Sequence, residues 1–230
     1  MLTWLDPANE KQDFPALSTA TDEPNGLLAA GGCLSPVRLL NAYRQGIFPW
    51  FSDDQPILWW SPNPRVVLRP QDIHISKSLK KLLRKEQFQC TFDSAFNEVI
   101  DSCSKPRADD DGTWITDSMQ GAYQALHQLG HAHSIEVWQD DSLVGGLYGL
   151  AIGQFFFGES MFSRQTNASK IAFVYLCEQL QRWGYQYIDC QVETAHLVSL
   201  GAYEIDRVYF ENILETHCNA APSELAWVKA

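Results

Sequence analysis

The carboxylate of Glu159 lies in the middle of a segment that is otherwise apolar, aromatic and rich in glycine. The segment covers residues 143–170 and reads LVGGLYGLAIGQFFFGESMFSRQTNASK. A carboxylate in an apolar strand must find a hydrogen-bond donor, because its burial without one is unfavourable by several kcal/mol. Arg164 and Lys170 belong to the same segment and are the candidate internal partners. The pattern therefore predicts the wall of a pocket rather than a plain core.

Asp189 and Gln191 form a second set of side chains that could hold a reacting group. They are two residues apart in a predicted strand, so both point to the same face of a sheet. Cys190 points to the other face and has no adjacent histidine, so we predict a core residue rather than a nucleophile. The Asp/Gln pair could equally make ordinary hydrogen bonds at a polar strand edge, and the pattern alone leaves both roles open.

The elements that position these residues are predicted from hydrophobic period, caps and turns. Strands at 133–138, 143–152 and 154–162 form a meander, a helix follows at 168–183, and a buried strand follows at 187–192. Upstream helices are expected to begin behind four caps: Ser35, Ser76, Asp93 and Thr116. Residues 47–65 are predicted to form short strands and turns, residues 1–30 are irregular, and the last thirty residues have no assigned element.

This order of elements indicates an α+β fold with a mixed, mostly antiparallel sheet. The proline-rich region ends near residue 68, which predicts a small N-terminal α/β domain at 1–68 and a catalytic domain at 69–230. The chain has no apolar run that could span a membrane and no leader-like N-terminus, so we expect a cytoplasmic protein without membrane contact. Six scattered cysteines without CxxC spacing predict free thiols and no metal site.

The formal net charge of −11 argues against general affinity for nucleic acids, and we expect no DNA binding. Residues 69–85 nevertheless hold six of the seventeen basic residues and only one acid, Asp72. A concentrated basic strip on an acidic chain can still bind phosphate locally, although most basic helix faces are simply solvated.

Six sequence blocks carry a resemblance to a known family. They are EPNGLLAAGG at 23–32, GIFPWF at 46–51, ILWWSP at 57–62, GTWIT at 112–116, FGESMFS at 157–163 and IDCQV at 188–192. In these blocks the chain resembles the bacterial leucyl/phenylalanyl-tRNA–protein transferases, and the resemblance spans about residues 14–213.

The resemblance implies a GNAT-like acyltransferase fold for the C-terminal domain. It also implies transfer of Leu or Phe (Met weakly) from aminoacyl-tRNA to proteins with N-terminal Arg or Lys, which marks them for N-degron degradation. Acetyl-CoA enzymes of this fold have a glycine-rich loop before the helix, whereas residues 163–168 contain no glycine. We therefore expect no cofactor. A GNAT-like acetyltransferase and a non-catalytic module that binds tRNA or N-terminal Arg/Lys remain alternatives, and we expect a monomer.

The same resemblance assigns roles to residues. Asp189 would orient or deprotonate the amine, Gln191 would position the reacting groups, and Glu159 would bind the acceptor. The aminoacyl group and the terminal adenosine would contact Trp50, Trp114, Leu147, Gly158, Met161, Leu176, Leu180 and Ile188. The tRNA phosphates would contact Lys77, Lys80, Lys81, Arg84 and Lys85. Each tryptophan could alternatively be a core residue.

Overall fold

Two β-sheets and the helices packed on them make up residues 2–105 and 115–228, the part of the chain that the computed structural model describes. In chain order the elements are β1 (Thr3–Leu5), β2 (Leu27–Gly31), α1 (Pro36–Arg44), β3 (Phe48–Pro49), β4 (Leu58–Trp60), β5 (Arg65–Leu68), α2 (Lys77–Leu83), β6 (Gln89–Phe92), α3 (Phe96–Ser104), α4 (Asp117–Gln128), β7 (Ala132–Gln139), β8 (Ser142–Ile152), β9 (Phe155–Ser163), α5 (Ala168–Arg182), β10 (Tyr187–Gln191), α6 (Ala195–Ser199), β11 (Tyr203–Ile205) and α7 (Arg207–His217).

The larger sheet has seven strands in the order β11-β5-β10-β9-β8-β7-β6. All its neighbours are antiparallel except β9 and β10, which run parallel. The crossover between those two strands is α5, as a parallel connection requires. The predicted α+β class, with a mixed and mostly antiparallel sheet and a meander–helix–strand order, is confirmed.

The smaller sheet, in the order β1-β2-β4-β3, packs with α1, α3, α4 and α7 on one face of the larger sheet. Helix α5 covers the other face, together with α2. The alternation along β9 shows the two faces, because Phe155 and Phe157 belong to the first core and Phe156 to the second.

Both strands that carry the candidate polar residues are interrupted by β-bulges. On β9, Ser160 is opposite Tyr148 and Gly158 is opposite Gly149, which leaves Glu159 as the extra, unpaired residue. On β10 the register shifts between Asp189 and Gln191, so Cys190 is the extra residue there. Bulges re-aim side chains and occur beside active sites.

Pairing between β9 and β10 stops at Phe157 and Asp189, whereas β9 remains paired with β8 as far as Ser163. Beyond Asp189 the backbone of Gln191 turns into the left-handed region, with φ of +63°. The two parallel strands therefore separate at this point, and a gap opens in the middle of the sheet.

Three of the four predicted helix caps are confirmed. The side chains of Ser35, Ser76 and Thr116 accept hydrogen bonds from the backbone N–H three residues on. The prediction for Asp93 is wrong. Its carboxylate instead faces the neighbouring strand β7, where it accepts a bond from the backbone N–H of Ser134 and contacts the His133 ring.

Helix α3 is capped from outside its own sequence. The buried carboxylate of Glu136, on β7, accepts hydrogen bonds from the backbone N–H groups of Ser94 and Ala95, just before α3 begins. A cap that comes from a strand some forty residues away leaves no local signal in the sequence.

Sequence patterns predict no element at either end of the chain, where the structure has β1, β2, β11 and α7. Helix α7 does carry a signal, with Asp206 as N-cap and Phe210, Ile213 and Leu214 at helical spacing. The two-domain division at residue 68 stays a prediction. Strand β5, on the N-terminal side of that division, pairs within the seven-stranded sheet.

Within residues 2–105 and 115–228, none of the helices has the length and apolarity needed to cross a membrane.

Candidate active site

A cavity of about 820 Å³ lies beside the gap between β9 and β10. Its walls include Glu159, Asp189 and Gln191, together with apolar residues of β8, β9, β10 and α5. Sites of this size with an apolar wall and a few convergent polar groups are typical of substrate pockets. The pocket that the sequence predicts around Glu159 is therefore present.

Glu159 is held by two buried tyrosines from helices α1 and α4, which do not line the cavity themselves. Its Oε1 accepts a hydrogen bond from the hydroxyl of Tyr43, on α1, and its Oε2 accepts one from Tyr123, on α4, each at 2.7 Å. The amide Nε2 of Gln191 donates a third bond to Oε1 at 3.2 Å. The two tyrosine oxygens are themselves 2.5 Å apart.

Neither candidate cation from the sequence neutralises Glu159. Arg164 donates its guanidinium hydrogens to the carbonyl of Leu143 and to the hydroxyl of Ser102. No ion pair to Glu159 is found for Arg164 or Lys170 within the described residues. A carboxylate whose partners are all neutral is easier to protonate than one that faces a cation.

The surroundings raise the pKa of Glu159 from 4.5 to about 7. Burial is the largest cause, because it disfavours the charged form, and the nearby negative charge of Asp189 adds to it. The hydroxyl bonds from Tyr43 and Tyr123 and the charge of Arg65 act in the opposite direction. A group with this pKa can exchange a proton near neutral pH.

Asp189 is fully buried and pairs with Arg65 of the neighbouring strand β5. Arg65 donates from Nε to Oδ1 at 2.8 Å and from Nη2 to Oδ2 at 2.6 Å, which is a bidentate ion pair. The guanidinium lies 4.8 Å from the ring centres of both Phe48 and Phe210. This pair fixes the Asp189 carboxylate in one orientation.

Asp189 in turn holds the strand end that carries Gln191. Its Oδ1 accepts a hydrogen bond of 2.9 Å from the backbone N–H of Gln191, the residue in the left-handed conformation. The side chain of Gln191 then reaches Glu159. Glu159, Gln191, Asp189 and Arg65 thus form one hydrogen-bonded series across three adjacent strands.

Cys190 lies on the opposite side of β10 and packs against the core beneath α5. Burial raises the pKa of its thiol well above the ordinary value, which disfavours the thiolate that a nucleophile needs. Cys190 is partly buried and also lines the cavity, so the prediction of a core residue holds only in part.

The apolar wall is on the α5 side of the sheet. Leu147, Met161, Leu176 and Ile188 line the cavity, as does Gly158. Leu180, one turn further along α5, is fully buried in the same core but does not line the cavity. Contact between Leu180 and a donor side chain stays a prediction. The position of Leu180 outside the cavity wall does not support it directly.

Trp50 lines the cavity near its mouth and is about half exposed, at 49%. Its ring packs against Trp60 at 5.7 Å, and the indole N–H of Trp60 donates to the carbonyl of Trp50. An exposed, braced aromatic ring at a cavity mouth can stack on a base. Trp114 lies outside the described residues.

The five predicted phosphate contacts are all exposed, and none lines the cavity. Lys77, Lys80 and Lys81 are on α2, and Arg84 and Lys85 follow its end. The buried side chain of Leu79 anchors the helix to the core, which leaves the charged side chains on its outer surface. They form a basic strip separate from the cavity, and the ion pairs found among the described residues do not include them.

Sequence reasoning missed Tyr43, Tyr123 and Arg65 as parts of the site. Tyr43 and Tyr123 lie on the buried faces of α1 and α4, where a hydroxyl needs a partner. A buried tyrosine hydroxyl therefore indicates that a hydrogen-bond partner exists, but it does not identify the residue that is the partner. Arg65 lies in the proline-rich segment, where no period marked it as buried.

Comparison with known proteins gives a consistent result over the whole chain. Residues 67–215 match the family described as leucyl/phenylalanyl-tRNA protein transferase, and residues 32–63 match the N-terminal domain of the same family. Curated proteins named leucyl/phenylalanyl-tRNA–protein transferase in Ectopseudomonas mendocina (strain ymp) and in Saccharophagus degradans (strain 2-40) are 60% and 57% identical to it. The matches cover 99% and 96% of this chain and 100% and 90% of those proteins.

Among solved structures, a GCN5-related N-acetyltransferase from Kribbella flavida aligns with a TM-score of 0.38 and 11% identity. That alignment covers 74% of this chain and 60% of the acetyltransferase.

Proposed function

The chain belongs to the leucyl/phenylalanyl-tRNA–protein transferase family, and from that membership we propose the substrates and the residues that act on them. It is an aminoacyltransferase that moves an amino acid from tRNA to a protein. The donors we propose are Leu and Phe, with Met used weakly. The acceptors are proteins with N-terminal Arg or Lys, and the product is a substrate for N-degron degradation.

This proposal rests on one observation, which is that apolar residues line one side of the cavity and polar residues line the other. Apolar residues beneath α5, Leu147, Met161 and Ile188 among them, offer a wall for a Leu- or Phe-sized side chain. The polar residues Glu159 and Gln191 lie towards the tyrosines of α1 and α4. A donor bound in the gap would place its ester between the two groups.

The chemistry needs little besides positioning and one proton acceptor. The donor ester is already activated, and holding amine and ester together can contribute roughly 7–11 kcal/mol to lowering the barrier. An α-amine with a pKa near 8 is mostly protonated at neutral pH, so a neighbouring group must take a proton. The site contains two carboxylates for this purpose, and their surroundings differ.

For the acceptor, Glu159 is the carboxylate that faces the cavity without a cationic partner among the described residues. A basic N-terminal residue that enters the cavity brings positive charge close to it. We propose that this attraction contributes to the preference for Arg and Lys over neutral N-terminal residues.

For the tRNA, we propose that Trp50 contacts the terminal adenosine and that the basic strip on α2 lies along acceptor-stem phosphates. Stacking of a base on an aromatic ring is worth about 1–3 kcal/mol. Phosphate contacts by exposed lysines supply affinity that depends strongly on salt.

The direct test is incubation of the protein with labelled Leu-tRNA and a peptide that begins with Arg. We expect a Leu-Arg peptide bond, detected by mass spectrometry, and no product from a matched peptide that begins with Ala. Acetyl-CoA in place of Leu-tRNA should give no acetylated peptide. Absence of the Leu-Arg product would reject the proposed substrates.

A further inference from the structure

Glu159, Tyr43 and Tyr123 form a closed ring of four oxygen atoms. Around the ring, the Oε1 of Glu159 is 2.7 Å from the Tyr43 hydroxyl, which is 2.5 Å from the Tyr123 hydroxyl, which is 2.7 Å from Oε2. All three are hydrogen-bond distances, and each contact requires one hydrogen between its two oxygens. The two tyrosines supply only two hydrogens.

The ring is therefore one hydrogen short whenever Glu159 is ionised. If both hydroxyls donate to the carboxylate, the two phenol oxygens face each other at 2.5 Å with no hydrogen between them. A proton on Glu159 removes this conflict, because the carboxylic acid donates to one tyrosine, that tyrosine donates to the other, and the second donates back to the carboxylate. The geometry has a place for one added proton.

We propose that this ring accepts the proton that the α-amine of the acceptor must lose. Glu159 is the member of the ring that contacts the amine. The proposal rests on the proposed function, since it presupposes an amine acceptor in the cavity. Glu159 is the member of the ring that lines the cavity, while Tyr43 and Tyr123 are fully buried behind it.

Asp189 is not suited to the same task. Both of its oxygens are bound by the guanidinium of Arg65, and Oδ1 also accepts from the backbone of Gln191. A proton on Asp189 would break the bidentate pair and leave the buried charge of Arg65 uncompensated, which is strongly unfavourable. Asp189 is therefore a positioning residue that acts through Gln191.

The charged and titratable groups that face Glu159 come from every element around it. They are Tyr43 on α1, Tyr123 on α4, Tyr148 on β8, Asp189 on β10 and Arg65 on β5. Burial raises the pKa values of all three tyrosine hydroxyls well above 10, so the tyrosines stay neutral and keep their hydrogens. Burial and the charge of Asp189 raise the pKa of Glu159 to about 7, so the group at the cavity end of the ring can exchange a proton near neutral pH.

In the reaction, the ammonium group of the acceptor gives one proton to the ring and becomes an amine. The amine nitrogen forms a bond to the ester carbonyl carbon, and the bond from that carbon to the ribose oxygen of the tRNA breaks. The nitrogen loses a second proton, which goes to the departing ribose oxygen, and the proton on the ring is released to solvent. Atoms and charge therefore balance without a further reactant.

The test is Glu159→Gln, because an amide completes the ring in the way that the protonated acid does and should preserve the fold. With saturating Leu-tRNA and Arg-peptide, kcat at pH 7 should fall about 10²-fold or more, as expected for loss of a general base. The wild-type kcat should rise with pH around 7, whereas the kcat of the variant should rise only at higher pH, near 8, where the α-amine itself loses its proton. Glu193→Gln removes an exposed carboxylate close to the site in sequence and should keep the wild-type kcat and pH profile.

A second measurement does not depend on turnover. Infrared difference spectroscopy across pH follows the carboxyl band that Glu159→Gln removes, and in the wild type it should titrate near pH 7. Tyr43→Phe and Tyr123→Phe each remove the contact between the two tyrosine oxygens, and with it the shortage of hydrogens, so both the band and the kcat profile should move to lower pH.

The outcomes separate the two proposals. If the wild type transfers no Leu, the proposed function fails, and the infrared titration alone decides whether the ring holds a proton. If the wild type transfers Leu and Glu159→Gln keeps its kcat with only a higher KM for the peptide, Glu159 binds the acceptor charge and our inference is wrong. A Glu159 band that titrates near 4.5 would overturn it as well.

Discussion

Asp189 and Glu159 are carboxylates of the same cavity whose hydrogen-bond partners differ in charge. Asp189 faces a guanidinium in a fully buried ion pair, whereas Glu159 faces two hydroxyls and an amide. The first arrangement holds a negative charge in place, and the second allows it to be neutralised. When the surroundings of two neighbouring carboxylates differ in this way, one carboxylate typically positions other groups and the other transfers the proton.

The ion pair of Arg65 and Asp189 predicts a large effect on stability. Asp189→Ala leaves a buried guanidinium without its partner and should lower the free energy of unfolding by about 3–5 kcal/mol. The double substitution Arg65→Met with Asp189→Leu should recover most of this loss, since neither charge then remains buried. Chemical denaturation of the three proteins measures both effects.

The exposed pair of Arg69 and Asp72 offers the matched control, with a separation of 3.9 Å. Asp72→Ala should change the free energy of unfolding by at most about 1 kcal/mol. Equal losses in Asp189→Ala and Asp72→Ala would contradict the importance that we give to the buried pair.

The raised pKa of Glu159 predicts a particular pH dependence of stability. Between pH 4.5 and 7 the folded protein retains a proton on Glu159 that the unfolded chain has already lost. The contribution of Glu159 to the free energy of unfolding therefore decreases as pH rises through this window. Glu159→Gln has no proton to lose, so the difference in stability between wild type and variant should shift in favour of the variant from pH 5 to pH 8.

Urea denaturation of wild type and Glu159→Gln at both pH values measures that difference in stability. Taking the difference removes the contributions of groups that titrate in the same way in both proteins. Parallel pH dependence of the two proteins would show that Glu159 titrates normally.

At the scale of elements, the bulge in β9 decides which face of the sheet the residues after Glu159 point to. Phe157 and Phe162 pack into the same core although they are five residues apart, which strict alternation along a strand would forbid. The extra residue, Glu159, absorbs the difference and reaches the tyrosines of α1 and α4. The site thus depends on one irregular position in an otherwise regular strand.

Two glycines opposite each other at this bulge predict contrasting effects. A Cβ on Gly149 would lie 2.2 Å from the carbonyl oxygen of Phe157, so Gly149→Ala should destabilise the protein by at least about 1–3 kcal/mol. A Cβ on Gly158 would meet only the carbonyl oxygen of Asp189, at an ordinary 3.4 Å, so Gly158→Ala should fold normally.

Gly158 lines the cavity, however, and the added methyl group would take space from the donor that we propose to bind there. We expect Gly158→Ala to raise KM for Leu-tRNA roughly tenfold, within the range that one methylene can discriminate. Thermal unfolding and steady-state kinetics on both variants separate the two effects. A Gly158→Ala protein with wild-type KM would remove Gly158 from the donor site.

At the scale of the whole molecule, the basic strip on α2 and the cavity are separate surfaces that a tRNA would bridge. We expect Lys80→Ala with Lys81→Ala to weaken tRNA binding more than turnover at saturation, and Asp189→Ala to do the reverse. The double lysine variant should also reduce the slope of log affinity against log salt by about 1 for each phosphate that the protein no longer neutralises. Filter binding at several salt concentrations tests this, and equal effects of both variants on both measurements would contradict the division.

Much of this molecule follows from local sequence signals. The hydrophobic period indicated the meander, the helix and the strand that follow one another from β7 to β10, the caps Ser35, Ser76 and Thr116 began three helices, and Glu159 marked a pocket in an apolar segment. These features depend on residues a few positions apart, where backbone geometry alone relates sequence to direction. The six sequence blocks indicated the same family that the comparison with known proteins shows.

The tertiary structure alone decided what those residues contact. Arg65 reaches Asp189 across 124 residues of sequence, and Tyr43 reaches Glu159 across 116. Such contacts depend on how strands pair and where a bulge shifts the register, and a one-residue shift reverses the direction of every side chain that follows. Hence the sequence predicted a carboxylate in a pocket, while its neutral partners, and with them its ability to take a proton, came from the packing of α1 and α4 on the sheet.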